Sequence, residues 1–303
     1  MLTKAVFQGQ DVYLLSNGEG TARFAPQYGA RLLDWRVGGR ELVTWPANAD
    51  WSKPNKVRGG NPILFPFIAR HYVDGQLGKW RDARGVVRDL PMHGFARDMA
   101  FSVVDDPDPD TLRMRIEQTP QTLEGYPFPF RFEVAYRLLP DALEVEFATT
   151  NMGDAGAEPL PYYAGHHFYL AVNHAERDRW KLALPFRKTG TQGPDGAPVF
   201  GPAPGDATLD QPELVDRFQV EPLERRFALT NRRDGVEIEF DLQPRETAPW
   251  YAVTTWTQAP ESDFYCVEPW LGLPDAIHHG FGLRHVAPGQ TERAVCRLTY
   301  RAL

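Results

Sequence analysis

Phe130-Arg131-Phe132-Glu133-Val134-Ala135-Tyr136-Arg137-Leu138, then Leu139-Pro140-Asp141, then Ala142-Leu143-Glu144-Val145-Glu146-Phe147-Ala148, is the stretch that decides the fold. Phe132, Val134, Tyr136 and Leu138 alternate with Arg131, Glu133, Ala135 and Arg137; Leu143, Val145 and Phe147 alternate with Glu144, Glu146 and Ala148. A period of two turns one apolar face to a core and one polar face to water, as antiparallel sheets require. Pro140-Asp141 supplies the reversal between the two runs. The same period recurs in Leu112, Met114 and Ile116 beside Thr111, Arg113 and Arg115. It recurs again in Val236, Ile238, Phe240 and Leu242 beside Glu237, Glu239 and Asp241. Gly38-Gly39 sits between apolar runs, and Asp234-Gly235 just before Val236; both dipeptides tolerate positive φ and suit hairpins. No window sustains an i, i+3, i+4, i+7 apolar stripe with caps, and 26 Gly and 27 Pro break up the chain. The expected fold is all-β, a large antiparallel β-sandwich.

A length of 303 residues suits one large sandwich or barrel, so a single domain over 1–303 is expected. Apolar residues at 42% and charged residues at 24% are ordinary for a globular chain, which at this size buries a core without disulfides or metal. A net charge of −7 with scattered basic residues argues against nucleic acid or an anionic membrane as partner. The two cysteines, Cys266 and Cys296, make no disulfide framework, and no Cys/His group has zinc-finger spacing. Residues 1–11 hold one Lys and no apolar run long enough for a signal peptide, and no later stretch suits a bilayer span. A soluble cytoplasmic protein is the expectation; oligomeric state is not legible.

Two stretches lack the period of two. Residues 190–212, rich in Gly, Pro, Asp and Ala, read as a long surface loop within one domain. Residues 51–87 contain Asn61-Pro62-Ile63-Leu64-Phe65-Pro66-Phe67, too interrupted by Pro for a central strand. Irregular segments of that length in a compact domain tend to carry function.

Three short segments carry residues suited to acid–base chemistry. Met92-His93-Gly94-Phe95-Ala96-Arg97, after Leu90-Pro91, places a His on a turn or strand end; alone, the hexamer reads as an ordinary polar turn. Tyr162-Tyr163-Ala164-Gly165-His166-His167-Phe168-Tyr169-Leu170 reads as an aromatic strand whose adjacent histidines point to opposite faces, so a two-His metal site there is not expected. One His shares a face with Gly165 and Tyr169, where Gly leaves room for a ligand. Phe264-Tyr265-Cys266-Val267-Glu268-Pro269-Trp270 puts a carboxylate in an apolar run, with Cys266 and Glu268 on one face. A buried Glu needs a partner or a function; the plainer reading is a Glu reaching solvent where the strand ends at Pro269. Trp250, Trp256, Trp270, Phe67 and Tyr169 provide rings on which sugar CH faces stack, although most rings in such a chain are core.

In order, these segments resemble the aldose 1-epimerase, or galactose mutarotase-like, family. Gly60-Asn61-Pro62-Ile63-Leu64-Phe65-Pro66-Phe67 with Arg70 is similar to its early substrate loop. His93-Gly94-Phe95-Ala96-Arg97 resembles its HGF-x-R block, Gly165 to Leu170 its G-x-H-x-Y-F segment, and Val267 to Ala276 the segment of its catalytic glutamate. The likeness covers essentially the whole chain and implies the galactose mutarotase-like supersandwich. It implies a cofactor-free and metal-free enzyme that interconverts the anomers of a small-molecule sugar, in agreement with the absence of a P-loop or dinucleotide fingerprint. By resemblance, Glu268 is the general base, ionised, and His93 orients substrate. A match through Tyr169 selects His167 as the protonated general acid; relatives with His directly after Gly select His166 instead, and then His166 and His167 exchange places. Phe168 and Leu170 depart from the family pattern, and a one-residue slip flips the face. Asn61, Arg70, Arg97, His166 and Asp216 are the expected substrate-binding residues. Arg70, Arg97, Arg58 and Lys56 are available to a phosphate, although isolated basic residues are more often surface charges. A sugar-binding or sensing module on the same fold is the second reading, and pure binding needs no acid–base pair. A lyase or glycosidase-type reaction ranks below both, for want of a second carboxylate pair.

Overall fold

The computed structural model describes residues 1–303, and two large antiparallel sheets hold most of them. The eleven-stranded sheet runs Leu2–Phe7, Gln10–Asn17, Gly20–Ala25, Arg31–Val37, Arg40–Val43, Phe168–Leu170, Tyr265–Trp270, Ala252–Trp256, Arg217–Pro222, Phe186–Gln192, Pro198–Pro202. The nine-stranded sheet runs Ser102–Val104, Thr111–Glu117, Phe130–Leu138, Ala142–Asn151, Thr291–Ala302, Val236–Asp241, Arg226–Asn231, Lys181–Leu182, Ala207–Thr208. One cluster of 63 buried residues fills the space between them. The α-helices are two short ones, Pro120–Gly125 and Ala276–His279, and no helix is long and apolar enough to cross a membrane. The all-β sandwich expected from the sequence is the architecture observed.

The deciding stretch forms the hairpin Phe130–Leu138 with Ala142–Asn151, with Leu138 opposite Leu143. Phe132, Val134, Tyr136, Leu138, Leu143 and Val145 are fully buried, as the alternation requires. Its polar face is drier than a period of two suggests. Glu144 and Glu146 are buried because Arg297, Arg293 and Arg245 lie across them, with Arg297 Nη2 2.6 Å from Glu144 and Arg245 Nη2 2.9 Å from Glu146.

Three local expectations change. The segment Tyr162 to Leu170 is not one strand. Leu160–Tyr162 pairs with Arg284–Val286, the chain then crosses between sheets on single bridges at Tyr163 and Gly165, and Phe168–Leu170 joins the eleven-stranded sheet. Residues 190–212 are not a long loop, because Phe186–Gln192 and Pro198–Pro202 form a hairpin at the sheet edge, where Pro and Gly are tolerated. The strand carrying Glu268 does not end at Pro269, which pairs with Val253, and all six residues of Tyr265–Trp270 are buried. That strand is central and covered on both faces. Tyr265 and Val267 belong to the core between the sheets, while Cys266 and Glu268 face outward beneath loops. The irregular residues 61–67 are buried, and their backbone pairs through single bridges only, as their prolines dictate.

Candidate active site

Sheet register builds the floor of a cleft on the outer face of the eleven-stranded sheet. Phe218 lies opposite Thr254 and Thr254 opposite Glu268, so three neighbouring strands present one row of side chains. The next row on that face is Trp256, Cys266 and Tyr169, again opposite one another. Loops supply the walls. Arg58, Ala69, Arg70, Met92, His93, Gln192, Asp216 and Pro274 close over Glu268, His167, Trp256 and Trp270 around about 230 Å³. A space of that size suits one small ring and not a polymer.

The two histidines of the crossing segment part company, as strand geometry demands. His167 shares the face of Tyr169, stacks on its ring at 4.8 Å, and lines the cleft with Nε2 3.4 Å from Glu268 Oε1. His166 points into the sandwich core, fully buried between Phe168, Phe147 and Trp250. Asn61 ties the pair together. Its side-chain oxygen accepts from the His167 backbone N–H at 2.8 Å, and its amide lies 3.1 Å from Tyr136 Oη and 3.0 Å from His166 Nδ1.

His93 arrives from the opposite wall in a left-handed conformation, φ 68°, next to Gly94 at φ 70°. A Cβ on Gly94 would collide with the Phe65 carbonyl oxygen, so only glycine lets this turn seat against residues 65–66. The backbone N–H of His93 donates to the Ala69 carbonyl at 3.0 Å, and the Ala69 N–H donates to His93 Nδ1 at 3.1 Å. With Nδ1 accepting, the neutral ring carries its proton on Nε2, which makes that atom a donor toward His167, 5.9 Å away between ring centroids. Ala69 and Asp216 also have positive φ, so three cleft-lining backbones are strained.

Gly165 plays a different part from the one its sequence position suggests. A Cβ there would lie 2.5 Å from Trp270 Cδ1 and 2.9 Å from Ile68 Cγ2, so the space is used by protein and not by a ligand. The glycine allows the Trp270 ring to lie flat beside the crossing segment and donate its Nε1–H to the His166 carbonyl at 3.2 Å.

Burial dominates the electrostatics. It pushes the Glu268 carboxyl well above the usual carboxylate range; the nearby Trp270 indole N–H offsets part of the rise, and the Asp216 charge adds to it. Burial also drives His167 down to about 3, helped by the guanidinium groups of Arg97, Arg31 and Arg58. His93 falls well below the usual imidazole value for the same reason, with Arg97 and Arg70 contributing. Both shifts run against the ionised Glu and protonated His expected from sequence, because burial disfavours the charged form of each group.

Of the expected site residues, His93, His167, Glu268, Arg70 and Asp216 meet in the cleft, Arg70 Nη2 lying 4.0 Å from Asp216 Oδ2. Asn61, Arg97 and His166 do not line it. Arg97 stands behind His93, with Nη2 donating to the Met92 carbonyl at 3.0 Å. Arg58, Thr254, Phe218 and Gln192 complete the lining. Arg31, fully buried, holds the loop of Arg58 by donating to the carbonyls of Pro54, Val57 and Gly59 at 2.7–2.8 Å. Thr254 had a signal in the sequence, a hydroxyl in the apolar strand Ala252–Trp256; Gln192 and Arg31 had none. One group of side chains has metal-ligating atoms within 4.8 Å of one another: His167, Cys266 and Glu268.

Residues 11–299 match the family model described as Aldose 1-epimerase. A protein of Escherichia coli K12 provisionally named glucose-6-phosphate 1-epimerase is 26% identical over 142 residues, 46% of this chain and 43% of that protein. The matched stretch spans less than two thirds of the curated relatives' own length. A crystal structure of a protein from Synechocystis sp. PCC 6803 superposes with a TM-score of 0.82 at 25% identity, over 96% of each chain. A galactose mutarotase related enzyme from Lactobacillus acidophilus gives 0.77 at 22% identity, over 96% of this chain and 97% of that one, a likeness of fold.

Proposed function

The chain belongs to the aldose 1-epimerase family, and from that premise we propose that it interconverts the α and β anomers of an aldose phosphate by opening and reclosing the sugar ring. The observation that carries the reading is the pair His167–Glu268, Nε2 and Oε1 3.4 Å apart on the cleft floor. In the reactive arrangement Glu268 takes the proton of the C1 hydroxyl while His167 gives one to the ring oxygen. The C1–O5 bond breaks and a C1 aldehyde forms. Rotation about C1–C2 presents the other carbonyl face. O5 then attacks C1, His167 recovers the O5 proton, and Glu268 returns a proton to O1. The proton count of the pair is the same at start and finish, so the cycle needs no net exchange with solvent. His93, with Nε2–H as donor, holds a sugar hydroxyl, and Trp256 and Trp270 give the CH faces of the ring an apolar surface.

The phosphate part of the reading rests on the cleft's charge. In a protein of net charge −7, Arg58 and Arg70 line the site and Arg97 and Arg31 lie behind it. Arg58 is held in place by Gln258 at 2.9 Å and lies 5.3 Å from the Trp256 ring centroid. Guanidinium groups suit a phosphate dianion. The name of the Escherichia coli relative points to the same class. NMR exchange spectroscopy on glucose and glucose 6-phosphate, with and without Glu268→Gln, tests both parts. Accelerated exchange of the phosphate, reduced on glucose and lost in the variant, is expected. No acceleration of any aldose removes the catalytic reading, and equal acceleration of both sugars removes the phosphate.

A further inference from the structure

We propose that His167, Cys266 and Glu268 form a soft-metal site at the cleft floor, one that takes up Zn²⁺ and thereby stops proton transfer. The binding half stands on geometry alone; the inhibition half rests on the acid–base reading above.

Strand alternation puts Cys266 and Glu268 on one face, two residues apart, and the crossing segment lowers His167 onto the same spot. An imidazole nitrogen, the thiol sulfur and a carboxylate oxygen lie within 4.8 Å of one another. Bond lengths of about 2.0–2.2 Å to nitrogen and oxygen put two ligands of a tetrahedral zinc roughly 3.3–3.6 Å apart. His167 Nε2 and Glu268 Oε1 already stand 3.4 Å apart. The sulfur has at most about 1 Å to travel, within reach of a χ1 adjustment. All three residues are buried, and Glu268 Oε2 has no hydrogen-bond partner, as an atom that a cation would satisfy.

The ligand chemistry selects the ion. Mixed N, S and O donors in threefold number suit zinc with one open position, whereas Mg²⁺ and Ca²⁺ take six or more oxygens. Access is from the cleft, since His167 and Glu268 line it and Cys266 closes the far side. On binding, the thiol proton and the carboxyl proton of Glu268 leave to solvent, and thiolate plus carboxylate balance the two positive charges of the ion. The open position then faces the space a sugar occupies. The arginines around the cleft oppose a cation, so affinity falls below that of a closed four-ligand site. Cys266 has no part in the ring-opening steps, packed instead against Tyr169 and Phe264.

The test titrates the reduced protein with Co²⁺ and reads the near-ultraviolet thiolate-to-cobalt charge-transfer band. One equivalent is expected, displaced by Zn²⁺, absent in Cys266→Ser and Cys266→Ala, and kept in Cys296→Ala, the other buried thiol. In parallel, Zn²⁺ but not Mg²⁺ or Ca²⁺ slows anomer exchange, and Cys266→Ala raises the inhibitory Zn²⁺ concentration at least tenfold, each rate taken relative to that of the same protein without zinc. No thiolate band in the parent protein, a band that follows Cys296, or unchanged Zn²⁺ sensitivity in Cys266→Ala overturns the proposal. A cobalt band in a protein that exchanges no anomers keeps the metal site and removes the epimerase reading; exchange without the band does the reverse.

Discussion

His167 Nε2 lies 3.4 Å from Glu268 Oε1, and burial moves their affinities for a proton in opposite directions, the imidazole down and the carboxyl up. The sign of the pH dependence follows. His167 takes up a proton only when pH falls toward its lowered value, about 3, and ionisation of Glu268 moves above the ordinary carboxylate range. His167 therefore takes up no proton near the usual imidazole value, about 6.5. The kcat measured by NMR exchange at saturating sugar is expected to stay level as pH falls through that value. An acid limb centred there would show that an isolated histidine, and not the buried pair, controls the rate.

Removing either partner breaks the same relay. Glu268→Gln and His167→Gln are each expected to lower kcat by about 10²–10⁴, the usual worth of a positioned acid or base. The double variant is expected to be no slower than the slower single, because groups acting as one unit are not additive. Polarimetry on the three variants checks this, and multiplied losses would mean that the two residues act independently.

Much of this arrangement was legible in the sequence because one rule is rigid. Alternation predicts the sandwich from residues 130–148 and separates His166 from His167, and the central strand must place Cys266 with Glu268. What alternation does not reach is tertiary. Asn61 and Arg97 have residue types suited to sugar hydroxyls, yet the structure spends them on backbone and side-chain partners inside the protein. Gly165 reads as space for a ligand until the Trp270 ring is found in it. The hairpin Phe186–Gln192 with Pro198–Pro202 was hidden by Gly and Pro that an edge strand accepts and a central strand does not. The direction of the Glu268 shift was equally out of reach, since it depends on loops that are distant in sequence.

Asn61 is a positioning residue. Its oxygen accepts from the His167 N–H and its amide binds Tyr136 Oη and the His166 ring, all without solvent. Asn61→Ala leaves buried polar groups unpaired and is expected to cost about 1–3 kcal/mol of stability. It also frees the His167 backbone, so kcat should fall with KM little changed, because Asn61 does not line the cleft. Asn61→Asp keeps the acceptor for the His167 N–H and should recover more of kcat than Asn61→Ala. Urea unfolding and steady-state exchange separate the two effects; a raised KM with intact kcat would place Asn61 on the substrate instead.

Gly165→Ala sets a methyl group 2.5 Å from Trp270 Cδ1. The ring has to move, and overpacking of this kind costs about 1–3 kcal/mol. Because Trp270 lines the cleft, a raised KM is expected together with a change in tryptophan emission. A variant with parental KM would show that the ring gives way without disturbing the sugar surface.

Acid stability carries the clearest count of buried groups. Burial lowers His71, His93, His166 and His167, all four. In the unfolded chain each binds a proton below about pH 6.5 that the folded state refuses, so stability falls as pH drops through that value. Glu268 works in the opposite sense: its folded value is raised, so from the unfolded value of about 4.3 upward the folded state holds a proton that the unfolded chain has released. Near pH 5.5 the four histidines outweigh the one carboxyl, so the unfolded state binds more protons and stability rises with pH. Glu268→Gln deletes the opposing proton and is expected to steepen that slope by up to about 1.4 kcal/mol per pH unit. Urea unfolding between pH 5 and 6 on parent and variant measures the difference, and an unchanged slope in the variant would mean that Glu268 is ionised in the folded protein.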